Sequence, residues 1–147
     1  MEDNTKTKTG KIKALIDQNN LAVLSTVTSE NTSESAVVEI SARENLELIF
    51  DTLPTFRKYN NLKSNQNVSV VIGWEPATIQ YEGVAMELGG KELEEYKQVH
   101  FAKFPEAVKF EKLGIKFFKI IPKWIRYTDV FRQPWEVFEI STPQLNE

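Results

Sequence analysis

The chain has no cysteine and a single histidine. The first absence excludes disulfides, thiolate metal ligands and cysteine nucleophiles, and it fits a cytoplasmic location. The second excludes a two-histidine metal site and leaves a Ser-His-Asp triad without support. No apolar run approaches the ~20 residues that a membrane-spanning helix needs, so no membrane partner is expected. The opening Met1-Glu2-Asp3-Asn4 is acidic and polar and lacks an apolar signal core. Only six glycines occur, and none stands in a GxGxxG or P-loop pattern. The net charge of -3 does not supply the basic face that a nucleic-acid binder needs.

What is present describes an ordinary globular chain. Hydrophobic residues make up 41% and charged residues 27% of 147 positions, which suggests one domain over residues 1–147. Residues 1–9 and 141–147 read as polar, mobile tails. Ile12, Leu15 and Ile16 recur at helical spacing, so a short amphipathic helix should close near Asn19-Asn20. Leu21 to Val27 and Ser35 to Ser41 read as strands around a polar loop, Thr28 to Glu34. Arg43-Glu44-Asn45 should turn into a third strand at Leu46, giving an antiparallel meander. Val68 to Trp74 and Ala77 to Leu88 read as further strands, and Gly83 within the second marks a bulge or a close backbone approach. Lys91 to Phe104 has helical spacing, and Glu106 to Leu113 suggests another short helical piece. Ile115 to Ile121, Trp124 to Val130 and Trp135 to Ile140 complete the strands, with Pro122 as a joint. Seven or eight antiparallel strands with inserted helices point to a mainly β barrel, because closure removes exposed edges.

One stretch carries an anomaly. Leu46, Leu48 and Phe50 share a strand face, Pro54 stops the strand, and Thr55 is a plausible helix N-cap. Arg57 and Lys58 then fall as the second and third residues of the helix. Cations there oppose the helix dipole by roughly 0.3–1 kcal/mol each, unless an anion fills the site. Thr55, Arg57, Lys58 and free backbone N–H groups form a candidate phosphate cradle.

Other chemistry is scarce. His100 sits between Val99 and Phe101 on the second long helix and reads as a packed or half-exposed structural residue. Glu92, Glu94 and Glu95 suit the start of that helix. Trp74, Trp124, Trp135, Tyr81 and Tyr127 fall on or beside strands; most should belong to core or subunit contacts, and some could border a planar ligand. A chain so short of acid–base groups can act as an enzyme if a cofactor does the chemistry.

The ordered segments resemble a known family. They are Leu21-Ala22-Val23-Leu24-Ser25-Thr26-Val27, Ala36-Val37-Val38, Leu48-Ile49-Phe50-Asp51-Thr52, Thr55-x-Arg57-Lys58-Tyr59-x-Asn61-Leu62, Asn65-x-Asn67-Val68-Ser69-Val70-Val71 and Gln80-x-Glu82-Gly83-Val84-Ala85. Together they are similar to the pyridoxamine phosphate oxidase-like flavoproteins, the FMN-binding split β-barrels. The resemblance is good from Leu21 to Leu88 and looser through Pro122 to Tyr127. It implies an antiparallel split β-barrel and a homodimer with FMN at the subunit interface. It further implies that Thr55, Arg57 and Lys58 hold the phosphate, that Val37, Val38, Glu39, Asp51 and Thr52 line the ring and ribityl chain, and that Gln80 reaches the flavin from the neighbouring chain. Two departures stand out. The second strand carries Glu39 and no Arg or Lys, leaving Arg43 as the nearest substitute, and the chain ends on acid rather than on a basic, histidine-containing segment. The chain therefore looks more like the short stress-protein relatives, with an unassigned small-molecule substrate, than like an enzyme for pyridoxamine phosphate. A non-catalytic flavin- or haem-binding dimer is the alternative, and a deazaflavin also stays open.

Overall fold

A computed structural model describes residues 4–145. Eight strands alternate with helices: α1 (Asn4–Gln18), β1 (Leu21–Val27), β2 (Ser33–Glu39), β3 (Ser41–Ala42), β4 (Leu48–Thr52), α2 (Arg57–Ser64), β5 (Asn67–Ile72), β6 (Thr78–Glu87), α3 (Gly90–Lys103), β7 (Lys116–Asp129), β8 (Glu136–Ser141) and α4 (Thr142–Leu145), with a 3-10 segment at Pro105–Leu113. Every strand pairing is antiparallel, in the order β2-β1-β5-β6-β7-β4-β3. β2 and β3 stand at opposite ends of that order, yet only Ile40 separates them in sequence. The chain thus steps from one edge of the sheet to the other and closes it into a split β-barrel.

Alternation decides which side chains face inward. β5 reads exposed-buried through Asn67–Ile72, and Val68, Val70 and Ile72 enter the core. Ile12, Leu15 and Ile16 pack into the same core from α1, as their helical spacing predicts. Tyr81 lies fully buried at its centre, and its hydroxyl is 2.8 Å from the Leu46 carbonyl and 3.1 Å from that of Ile120. Burial pushes this phenol well above its ordinary value. A smaller cluster of Ile49, Leu88, Tyr96 and Phe117 holds α3 to the outside of the barrel.

Several local expectations need correction. The N-terminal stretch is helical from Asn4 rather than a tail to Thr9, because no residue between Asn4 and Gln18 breaks the helix strongly enough; Gly10 is tolerated inside it. Residues 1–3, 146 and 147 of the expected tails lie outside the described residues, whereas β8 runs to Ser141 and Thr142–Leu145 form a helical turn. The first strands do not form a simple meander. β1 and β2 make a hairpin, but β4 pairs with β3 and β7, because the turn at Ile40 redirects the chain. Pro122 is not a joint between strands, since β7 runs straight through it. Gly83 lies opposite Pro122 while Glu82 lies opposite Trp124, so Lys123 is the extra residue of a bulge. A bulge accommodates a proline that cannot donate to the ladder. The expected close approach at Gly83 is also there: a Cβ on it would sit 2.4 Å from the Ile121 carbonyl oxygen.

Along one edge of β7, β4 pairs with Lys116–Ile120 and β8 with Trp124–Asp129. That leaves β4 free to run directly into α2, which places the start of α2 against β1 and β2.

Candidate functional site

Two grooves meet at the start of α2. The first encloses about 430 Å³ between β1, β2 and α2, lined by Glu34, Val37, Thr55, Phe56, Arg57 and Lys58 among others. The second encloses about 310 Å³ between β2, β4, α2 and the 3-10 segment, and holds Val38, Glu39, Asp51, Thr52, Phe110 and Leu113. Val37, Phe56 and Lys58 belong to both. Eight of the nine site residues expected from sequence therefore line these two adjacent grooves. Gln80 does not join them: it is exposed on β6, in register with Val71 and Arg126.

The helix begins one residue later than its spacing suggested. Phe56 occupies the cap position in extended conformation, and no side chain caps the helix. Thr55 therefore is not the N-cap, and Arg57 and Lys58 are the first two helical residues. The two cations differ. The Arg57 side chain is 76% exposed and pairs with Glu34 at 2.9 Å. Lys58 is half-buried, and this burial lowers its ammonium below the ordinary lysine value while the charge of Asp51 pulls it back up.

Glu34 was hidden from the sequence reading, which placed it at the end of a polar loop. In the structure it pairs with Thr26 in the β1–β2 ladder. Asn61, buried in the first turns of α2, donates from Nδ2 to Glu34 Oε1 and lies equally near Thr26 Oγ1, both at 2.9 Å. Phe110 and Leu113 were also missed as lining residues. Their signal was only that both are apolar in a segment too short to bury them, and they stay exposed at 45% and 56%.

Behind the second groove lies the single histidine. His100 is fully buried, the packed rather than the half-exposed of its two structural readings, with Nδ1 2.6 Å from Ser41 Oγ and Nε2 3.5 Å from Asp51 Oδ2. Nε2 has no hydrogen-bond partner. With a carboxylate facing Nε2, the ring is best placed with its proton there, so that the Ser41 hydroxyl donates to Nδ1. Asp51 thus connects the groove to a sealed polar pair. Deeper still, Lys103 donates to the carbonyls of Ile16, Asn19 and Ile40 at 2.7–2.8 Å, tying α3 to the end of α1 and to the barrel's crossing point.

The arrangement offers apolar walls and a cationic end. Among the described residues no cluster of potential ligands could hold a metal ion. No described helix is long and apolar enough to cross a membrane.

The fold is that of a split β-barrel, and the family follows from comparison. The family model of pyridoxamine 5'-phosphate oxidase matches residues 9–129, and the chain belongs to that family. Comparison with curated protein sequences finds no match. Among solved structures, a haem binding protein from Mycobacterium smegmatis is similar with a TM-score of 0.79 and 16% identity, over 99% of this chain and 61% of that one. This chain thus spans about three fifths of that protein. A putative pyridoxamine 5'-phosphate oxidase from Listeria innocua gives a TM-score of 0.66 at 18% identity, over 82% and 97% of the two chains. The general stress protein 26 of Bacillus anthracis gives 0.68 at 20% identity, over 90% and 98%. At these identities the likeness establishes the fold.

Proposed function

We propose that the chain is a cytoplasmic, homodimeric flavoprotein that binds FMN in the joined grooves and acts as an oxidoreductase on a small molecule of unassigned identity. The observation that carries this reading is the convergence of Thr55, Arg57 and Lys58 with Val37 at the mouth of one groove. When bound, the isoalloxazine supplies hydride or electron transfer. The protein's part is to bind and orient. Lys58 and Arg57 hold the phosphate, and the Thr55 hydroxyl donates to it. Val37, Val38 and Phe56 exclude water from the ring, and Asp51 and Thr52 supply polar contacts deeper in.

The place of Gln80 supports a dimer. Val37, Val23, Val71 and Gln80 form one cross-strand row over β2, β1, β5 and β6, and all four are exposed. Three strand spacings, roughly 14 Å, separate Val37 from Gln80. Gln80 of the same chain is therefore far from the groove. A two-fold axis near the β1–β5 boundary would lay Gln80 of one copy over Val37 of the other.

The haem alternative draws on the structural likeness to the mycobacterial haem binding protein. The donor set here does not fit a histidine-held haem, because the only histidine is fully buried and there is no cysteine. A deazaflavin, with a longer acidic tail, fits less well than FMN, because three carboxylates (Glu34, Glu39, Asp51) face only two cations in the grooves.

The visible spectrum of the purified protein, followed by FMN titration, tests the reading. Flavin bands or stoichiometric binding are expected, and a colourless protein indifferent to FMN refutes it. Replacing Arg57 and Lys58 together by alanine should weaken FMN at least tenfold, since each charge-assisted contact contributes about 1.5–3 kcal/mol. Reduction of the bound flavin by a nicotinamide donor, with turnover on reoxidation, separates an enzyme from a storage protein.

A further inference from the structure

The groove's cationic end carries its own anion. Glu34 Oε2 lies 2.9 Å from the Arg57 guanidinium and Oε1 lies 2.9 Å from Asn61 Nδ2. The carboxylate is the fixed partner: its side chain is 20% exposed, against 76% for Arg57. β2 holds it by its register with Thr26, and α2 holds it through Asn61, itself 7% exposed. A phosphate reaching for Arg57 and Lys58 therefore meets a negative charge that cannot swing out of the groove without leaving the buried Asn61 amide unpaired on that side.

We propose that Glu34 is a built-in counter-anion that weakens this groove's hold on the doubly charged phosphate of FMN and so narrows its preference for FMN over uncharged riboflavin. This rests on the reading of the groove as a phosphate-holding site. A phosphate monoester has a second pKa of about 6 and is mostly doubly charged at neutral pH. Against it the end of the groove offers Arg57 and Lys58, with one of those two charges already matched. Two more carboxylates, Asp51 and Glu39, lie in the adjoining groove and repel the same ligand.

The test is Glu34→Gln, which keeps the shape and the hydrogen bond from Asn61 and removes the charge. Glu34→Ser serves as the second variant, and thermal unfolding checks that both are folded. FMN and riboflavin binding are measured by flavin fluorescence. Inorganic phosphate binding is measured by shifts of the α2 backbone amides in NMR spectra. Removing one like charge beside a dianion should tighten FMN and inorganic phosphate by roughly ten- to a hundredfold, with riboflavin unchanged. FMN affinity that is unchanged or weaker in the variants would show Glu34 to be neutral or a positioner of Arg57; that result overturns this inference and leaves the flavin reading standing. Equal gains for FMN and riboflavin overturn it as well, because the effect then lies away from the phosphate. If FMN binds no form of the protein but phosphate alone tightens in the variants, the flavin reading falls and the role of Glu34 holds. If neither probe binds any form, both fall.

Discussion

Replacing His100 by phenylalanine should cost about 2 kcal/mol of stability, and adding Ser41→Ala should return most of it. The imidazole is fully buried, tilted against Phe104 and edge-on to Phe117, with ring centroids 5.0 and 6.0 Å away. A phenyl ring preserves those contacts. What it removes is the 2.6 Å bond to Ser41, whose residue is only 1% exposed. An orphaned buried hydroxyl costs about 1–3 kcal/mol. The contact with Asp51 adds little, because that side chain is 26% exposed and water replaces the lost partner. Ser41→Ala alone should cost a similar amount, since it strands the ring nitrogen instead. The double variant removes both polar groups, which is close to neutral when shape is kept, so the two losses should couple by at least 1 kcal/mol, roughly. Urea unfolding of the four proteins at equal m-values measures the cycle. A loss under about 0.5 kcal/mol in the phenylalanine variant, or additivity within that margin, would refute the buried Ser41–His100 bond. Haem binding that disappears with His100 while the fold persists would equally contradict the sealing of this residue.

Two further outcomes follow from the interior. Gly83→Ala drives a methyl to 2.4 Å from the Ile121 carbonyl and 2.8 Å from Ile120 Cγ2 on the paired strand, so denaturant unfolding should show a loss of about 3 kcal/mol or more; a loss near zero would mean that the bulge relaxes freely. Burial, helped by nearby Lys13 and opposed by Asp17, pushes Lys103 down to about 8 from its ordinary 10.5. Between those values the unfolded chain holds a proton that the native chain has released, so stability should rise with pH from about 8 towards 10. Above about 10 the raised tyrosines, Tyr59, Tyr81, Tyr96 and Tyr127, act in the opposite sense, since the native state then keeps protons that the unfolded chain loses. Lys103→Met should flatten the rise, and a rise that survives it would assign the effect to another group.

Sequence alone determined most of the local elements and the family. Period-two patterns in Val68-Ser69-Val70-Val71-Ile72 and helical spacing in Ile12, Leu15 and Ile16 report directly on which face is buried, because each element needs only one face covered. Gly83 announced its close approach, since only a missing Cβ allows it. The ordered motifs from Leu21 to Ala85 pointed to the split barrel and to the residues around Thr55. Tertiary structure decided the rest. Which strand pairs with which depends on Ile40 turning the chain across the barrel, and no local propensity encodes that turn. Pro122 reads as a breaker until Gly83 is seen opposite it, forming the bulge that tolerates it. Glu34 reads as loop until the β1–β2 register and Asn61 set it against Arg57. The charge of a site is a sum over residues brought together from distant parts of the chain. The cations at the helix start were legible because they neighbour one another in sequence. The carboxylate that opposes them was not, because only folding brings it there.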